Sequence, residues 1–243
     1  NLHNRIKNYF FKNQEKEIIM SNNAGLFSSS LGRKYLMAIT GLFLCSFLLV
    51  HLIGNVALYT DPVKFNEYTR FMSSNPIIRV MEIILVAGFL AHIIDAVLLT
   101  KANKAAQPVK YAMDKKNSSW YSRNMGLTGS IILAFLVLHL QSFWYQYKFG
   151  EISMAIDSNG EVIKDMYNIV ITAFKQPWYS AIYVVAMILL GSHLNHGFQS
   201  AFQSVGLRHK KYTPTIKKLG TAFAVLITLG FISFPIYFYF TQL

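Results

Sequence analysis

Five long apolar runs constrain the fold of this 243-residue chain more than any other feature. A helix crosses a bilayer core with roughly 20 consecutive apolar residues, and each run is close to that length. The runs are Tyr35–Tyr59, Ile77–Leu99, Met125–Tyr145, Trp178–Phe202 and Leu219–Phe240. They are continuously apolar rather than alternating, which favours helices over the strands of a barrel. The sequence therefore predicts an all-α integral membrane bundle of five transmembrane helices.

The composition agrees with a lipid environment. Charged residues make up 14% of the chain, whereas soluble domains carry about 25%. The net charge of +12 comes from Lys and Arg in the connections and not from a basic patch interleaved with aromatic residues, so nucleic acid is not an expected partner. Cys45 is the only cysteine. A lone cysteine excludes an intrachain disulfide, a cysteine-held iron–sulfur cluster and a CxxCH haem attachment, so any haem is expected to be bound non-covalently.

The distribution of Lys and Arg predicts the orientation of the bundle. Six lie in residues 1–34, six in the second connection and five in the fourth, whereas the first and third connections are poorer and also carry acids. Because cytoplasmic loops are enriched in Lys and Arg, the N-terminus is expected in the cytoplasm and the C-terminus outside, in a bacterial-type inner (cytoplasmic) membrane. Residues 1–30 are predicted to be a cytoplasmic tail, with Met20 as a candidate start that would leave residues 1–19 upstream of it. Residues 31–243 form the predicted membrane domain.

The longest connection, Lys148–Pro177, is predicted to cap the outer face. It contains a turn-like run at Asp157–Gly160. Aromatic residues flank it on both sides and are expected to anchor the bundle at the membrane interface, namely Trp144, Tyr145, Tyr147, Trp178 and Tyr179.

Four of the five predicted helices each carry an intramembrane histidine. These are His51, His92, His139 and His193, with His196 one turn after His193. A single such histidine is explained equally well by a hydrogen bond between helices, but its repetition on four helices favours a shared role. Each of these four histidines lies about 15 residues into its helix. Because successive helices cross the membrane in opposite directions, with a rise of 1.5 Å per residue, the histidines lie at two depths in the membrane. His51 and His139 form the predicted outer pair, and His92 and His193 the predicted inner pair.

Paired imidazoles with few acids nearby are more typical of haem than of other metal sites. Zinc and di-iron sites need further ligands at the same level, whereas a porphyrin itself supplies the four remaining ligands of an iron atom. Two non-covalent b-type haems are therefore the predicted cofactors. Gly54, Gly88 and Gly197 lie three or four residues from a ligand candidate on the same helix face, where a missing side chain would admit a flat macrocycle. Packing between helices explains each glycine equally well.

Several short motifs resemble the dihaem cytochrome b subunit of succinate:quinone oxidoreductases, the family of succinate dehydrogenase and menaquinol fumarate reductase. The resemblance covers about residues 31–241. It is carried by Phe47-Leu-Leu-Val-His-Leu-Ile-Gly-Asn55, the Phe65–Pro76 segment, Met81-Glu-Ile, Ala91-His92 and His193-Leu-Asn-His-Gly-Phe-Gln-Ser200. It implies that His51 and His139 hold the distal haem, and His92 and His193 the proximal haem. Spacing alone leaves His193 and His196 as alternatives, whereas the family motif favours His193 and makes His196 a neighbour of the haem.

The resemblance implies a membrane anchor that passes electrons between quinone, menaquinone in family members of this type, and a flavoprotein and an iron–sulfur subunit on the cytoplasmic face. The chain has neither Rossmann glycines nor a cysteine cluster, so dicarboxylate chemistry is assigned to those partners and quinone chemistry to the membrane side. Two alternatives remain open. One is the cytochrome b subunit of a hydrogenase or formate dehydrogenase, and the other is a haem-free transporter or scaffold.

Acidic residues within the predicted helices are further candidates for function. Some family members have a glutamate two residues before the fourth ligand, where this chain has Gly191, so a proton route through that acid is not expected. Glu82 is a candidate proton acceptor from quinol, and an ion pair with Arg79 explains it equally well. Asp95, one turn beyond His92, is a candidate for orienting a neighbour of the inner haem, and simple solvation is the alternative.

Overall fold

The computed structural model describes residues 29–105 and 124–241. Within these ranges the chain is mostly helical, with five helices long and apolar enough to cross a membrane. We call them spans 1 to 5: Leu31–Tyr59, Pro76–Ala105, Met125–Phe149, Pro177–Ser204 and Thr213–Thr241. The predicted helical class and the five spans are thus confirmed. Most of the predicted tail and the centre of the second connection, with four of its basic residues, lie outside the described residues.

The helix starts follow from local capping chemistry. The helix Ser30–Asn55 begins after Ser29, whose hydroxyl oxygen accepts from the Gly32 N–H at 3.0 Å, and it continues as a 3₁₀ turn, Val56–Tyr59. Span 2 begins at Pro76. The side-chain oxygen of the preceding residue, Asn75, accepts from the backbone N–H of Ile77 at 2.9 Å. Proline suits the first helical position because its missing N–H would have no partner there.

Span 5 begins earlier than predicted. The helix starts at Thr213 rather than at Leu219, and its first two turns contain Lys217 and Lys218. Lysine is a good helix former although it is unfavourable in lipid. The apolar run therefore predicts which part of the helix can lie in the lipid, and it does not predict the residue at which the helix begins.

Two short helices and a hairpin lie at one end of the bundle, which we call the loop end. They are the first connecting helix, Pro62–Ser74, the antiparallel strands Met154–Ile156 and Val162–Lys164, and the second connecting helix, Met166–Phe174. The predicted turn at Asp157–Gly160 is confirmed as the hairpin turn, and Gly160 adopts a φ of +84° that favours glycine. The strands themselves were not predicted because three residues are too few to show alternation.

Polar contacts join these connections into a cap over the loop end. The Asn66 amide, which is buried, donates to the Asp165 carboxylate at 2.9 Å. Arg70 donates to Asp157 at 3.0 Å and pairs with Glu161 at 2.6 Å. The Glu161 carboxylate raises the pKa of Arg70 above its usual value. The first and third connections are therefore joined at the loop end, whereas the prediction that this end is the outer face stays a prediction.

Spans 1 and 4 form the centre of the bundle. They pack on each other, span 2 packs on span 1, span 3 packs on span 4, and span 5 packs chiefly on span 4. The buried apolar core is concentrated near the loop end, whereas large apolar side chains such as Ile77 and Ile83 are exposed along the spans, with 74% and 70% of their surface accessible. Such an apolar outer surface is what a lipid environment requires. Opposite the loop end is the basic end, which carries the described residues Arg33, Lys34, Lys101, Lys104, Arg208, Lys210 and Lys211.

Candidate functional site

The structure brings His51 of span 1 and His139 of span 3 into direct contact at the loop-end side of the bundle. Their ring centroids are 5.8 Å apart and the ring planes are perpendicular. A metal ion bonded to one nitrogen of each imidazole at about 2 Å would lie between rings whose centroids are about 6 Å apart. This loop-end pair, the predicted outer pair, therefore has a spacing that suits a shared metal.

His139 is held by a tyrosine and by an irregular helical turn. Its Nδ1 lies 2.7 Å from the Tyr183 hydroxyl oxygen. Directly after it, span 3 changes from α-helix to a π-helical turn, Leu140–Tyr145. Such turns carry one extra residue, shift the helix face that follows, and are frequent at functional sites. Phe143 within the turn lies edge-on to the imidazole, with ring centroids 5.3 Å apart.

His51 lies mainly among aromatic rings. Phe47 stacks on it with a centroid distance of 5.3 Å, and Phe231 of span 5 lies 5.6 Å away. The Asn55 amide donates to the His51 backbone carbonyl at 2.7 Å and lies 3.5 Å from its Nδ1. The contact to the ring nitrogen is thus too long to hold the ring firmly.

The basic-end pair consists of His92 on span 2 and His193 on span 4. The Thr40 hydroxyl donates to the Leu36 carbonyl at 2.8 Å, and its oxygen lies 3.1 Å from Nδ1 of His92. A histidine that binds metal through Nε2 carries its proton on Nδ1, and the Thr40 oxygen is placed to accept such a proton. Thr40 lies eleven residues before His51 along span 1, so the two pairs are separated by roughly 16 Å.

His193 has a polar atom that lacks a partner. Its Nδ1 is buried and makes no hydrogen bond within the described chain. It lies within electrostatic range of His92 and His196, but it makes no ring contact with His92 of the kind that joins the loop-end pair. An unsatisfied buried polar atom costs about 1–3 kcal/mol. The His193 imidazole is therefore a candidate for binding a group that is not part of the described chain.

Two glycines lie against the basic-end imidazoles. A side-chain carbon at Gly41 of span 1 would lie 3.5 Å from Cε1 of His92, and one at Gly129 of span 3 would lie 3.5 Å from Cε1 of His193. Sequence reasoning missed both because each belongs to a different span from the histidine it faces. Spacing along one helix reveals only neighbours on that helix.

The glycines that the sequence did nominate have other surroundings. A side chain at Gly54 would collide with the Tyr68 hydroxyl, and one at Gly88 would lie 2.9 Å from the Phe43 ring. A side-chain carbon at Gly197 would meet no described residue within 4 Å. Close packing between elements therefore explains Gly54 and Gly88 in the described structure.

No family model, curated protein or solved structure matches the chain. Within the described ranges, no three His, Cys, Asp or Glu side chains converge on one point. A metal held by the loop-end pair would have two ligands from the described chain, His51 and His139.

Glu82 connects span 2 to span 3 at the loop end. Its carboxylate accepts from Arg79 at 2.6 Å, from Lys148 at 2.9 Å and from the Trp144 indole at 2.7 Å. Both oxygens are occupied by donors, two of which are cationic. This geometry favours the structural pairing that the sequence offered as one alternative, and it extends that pairing to two residues of span 3 that sequence reasoning did not identify.

Asp95 is buried rather than solvated. Only 3% of its surface is exposed, and its Oδ2 makes no hydrogen bond within the described chain, although Arg33 lies within electrostatic range. Gly191, where some members of the resembled family have glutamate, packs directly against the Thr228 hydroxyl. A larger side chain at that position would collide with span 5.

Proposed function

We propose that the chain is the dihaem cytochrome b subunit of a succinate:quinone oxidoreductase. It anchors the complex and passes electrons between membrane quinone, with menaquinone as the expected species, and the flavoprotein and iron–sulfur subunits of a succinate dehydrogenase or fumarate reductase. The observation that carries the proposal is the arrangement of imidazoles from four spans at two levels. The motifs around His51, His92 and His193 add the family resemblance.

The surroundings of the histidines support haem as the bound group. The Thr40 oxygen is placed to accept a proton from Nδ1 of His92, Nδ1 of His193 has no hydrogen-bond partner among the described residues, and a glycine of another span lies beside each ring. When bound, haem supplies one-electron transfer at a potential tuned by its surroundings. At the loop end, aromatic side chains surround both imidazoles, Phe47 and Phe231 around His51 and Phe143 beside His139.

The basic end is the proposed docking face for the hydrophilic subunits. With the N-terminus in the cytoplasm, as the positive-inside rule predicts, this end lies in the cytoplasm of a bacterium. The same rule accounts for its Lys and Arg without any partner, so docking rests chiefly on the resemblance. Complementary charge would orient an acidic partner surface and would weaken with salt.

Haem content and the visible spectrum of the purified protein test the cofactor. We expect two haems per chain and a reduced spectrum with the α band of a b-type cytochrome. A ratio of one would refute the two-site model. Protein that is folded in membranes but carries no haem would favour a transporter or scaffold.

Affinity purification from native membranes tests the partners. We expect a flavoprotein and an iron–sulfur protein to copurify, and we expect less of both when Lys210 and Lys211 are replaced by Ala, with haem content unchanged. Lys64→Ala at the loop end is the matched control. Recovery of hydrogenase or formate dehydrogenase subunits instead would replace the proposed complex with the alternative one.

A further inference from the structure

The four paired histidines differ in what holds their Nδ1 atoms. The contact of His139 with the Tyr183 hydroxyl is the shortest, at 2.7 Å, against 3.1 Å for His92 and 3.5 Å for His51. His193 has no such contact in the described chain. We propose that Tyr183 is a positioning residue that accepts the Nδ1 proton of His139 and so fixes the imidazole with Nε2 presented to the loop-end site. This inference rests on the proposed function.

Tyr183 is rigidly placed. It is 6% exposed, and its ring is in contact with Phe135 of span 3 at 4.7 Å and with Phe174 of the second connecting helix at 5.0 Å. Tyr179, one turn earlier on span 4, lies 5.0 Å away. Because rings from two other elements and from its own helix hold the Tyr183 ring, the hydroxyl cannot move away from His139 without disturbing the core.

The direction of the hydrogen bond follows from the chemistry of a ligand. A neutral imidazole that binds metal through Nε2 carries its proton on Nδ1, so His139 is the donor and the Tyr183 oxygen the acceptor. The Tyr179 hydroxyl also donates to the Tyr183 oxygen, but at 3.5 Å this is a long and weak contact. Tyr183 is therefore the acceptor that matters, and Tyr179 contributes mainly its ring.

The π-helical turn supplies an independent reason to place function here. It begins at the residue after His139, so the irregularity acts on the position of this imidazole and of Phe143. In the described chain, the helices around the other three histidines carry no such turn. The irregular turn and the buried tyrosine both fix the position and orientation of the His139 imidazole, as expected for a metal ligand.

A hydrogen bond from Nδ1–H to an acceptor makes an imidazole a stronger electron donor. Stronger donation stabilises oxidised iron, so its loss is expected to raise the midpoint potential. Since Tyr183 touches only His139 among the four histidines, the change should affect one haem component and leave the other unchanged.

The test is a spectroelectrochemical titration of purified Tyr183→Phe in detergent without quinone. We expect both haems to be retained, one midpoint potential to move to a more positive value and the other to stay at the wild-type value. Tyr179→Phe, the matched control on the same helix, should leave both potentials unchanged. Thr40→Val should shift only the component that Tyr183→Phe leaves unchanged.

Two unshifted potentials in Tyr183→Phe, or equal shifts of both, would overturn the positioning role. If Tyr183→Phe loses one haem, Tyr183→Gln decides, because its amide oxygen can accept the proton without the aromatic ring. Haem retained by the Gln variant supports the acceptor role, and haem lost from both variants refutes it. Wild-type protein without haem would refute the proposed function instead, before any variant is compared.

Discussion

The two histidine pairs occupy the same bundle but are built differently. At the loop end, His51 and His139 already touch, aromatic rings surround them, and Tyr183 holds one Nδ1. At the basic end, His92 and His193 are not in ring contact, and each lies against a glycine of another span. The loop-end pair is thus organised by neighbouring side chains, and the basic-end pair by space left between spans.

The connections explain this difference. The hairpin and the two connecting helices pack over the loop end, and Phe174 brings the second connecting helix into contact with Tyr183. A prearranged pair loses less conformational freedom when it binds its ligand than a separated pair does. We therefore expect the loop-end site to bind haem more tightly, and the variants below test whether the two sites are independent.

The largest expected effect distinguishes His193 from His196. His193→Ala should remove the basic-end haem and halve the haem content, because it deletes a ligand. His196→Ala should keep both haems and shift the spectrum or potential of one. Pyridine haemochrome assays on both variants measure the ratio. The reverse result would assign the ligand role to His196.

A smaller effect is expected from filling the space beside His193. Gly129→Leu would extend a side chain into a ring that a single added carbon already approaches at 3.5 Å, so most of the basic-end haem should be lost. Gly126→Leu on the same span is the matched control, since no described residue lies within 4 Å of a side-chain carbon placed there. Equal haem contents in the two variants would show that this space is not part of the site. A loss of both haems would show that the two ends are not independent.

The sequence predicted the features that depend on one helix at a time. The five spans follow from the length of apolar runs, and the pairing of His51 with His139 follows from depth and helix direction. Gly41, Gly129 and Tyr183 could not be found in this way, because their roles depend on which helix faces which. Depth along a helix fixes the level of a residue but not its neighbour across the bundle.

The contacts of Glu82 show that the same limit on prediction from sequence applies to charged residues. Its pair with Arg79 lies within one helical turn and was predictable, whereas Lys148 and Trp144 belong to the end of span 3. The Asp157–Gly160 turn was predictable from turn chemistry, but its ion pair with Arg70 across the cap was not. Local chemistry was therefore readable from the sequence, and contacts between distant segments required the fold.

The smallest expected effect concerns the cap. Arg70→Ala removes the cation from Oδ2 of Asp157, whose side chain is 3% exposed, while the backbone N–H groups of Asn159 and Glu161 still bond Oδ1. Leaving a buried acceptor without its partner is destabilising. Because the Arg70 side chain is itself 47% exposed, solvent screens the ion pair and keeps the loss of stability small. We expect a slightly lower unfolding temperature and earlier thermal release of the loop-end haem.

Lys64→Ala is the control for this variant, because Lys64 lies exposed on the same connecting helix as Arg70. Thermal unfolding followed at the absorbance of each haem component separates the two ends of the bundle. If Arg70→Ala loosens only the loop-end component and Lys64→Ala loosens neither, the cap stabilises the loop-end site specifically. Identical unfolding curves for the two variants would show that the cap does not stabilise the arrangement of the loop-end pair. The aromatic contacts around Tyr183 would then have to account for that order by themselves.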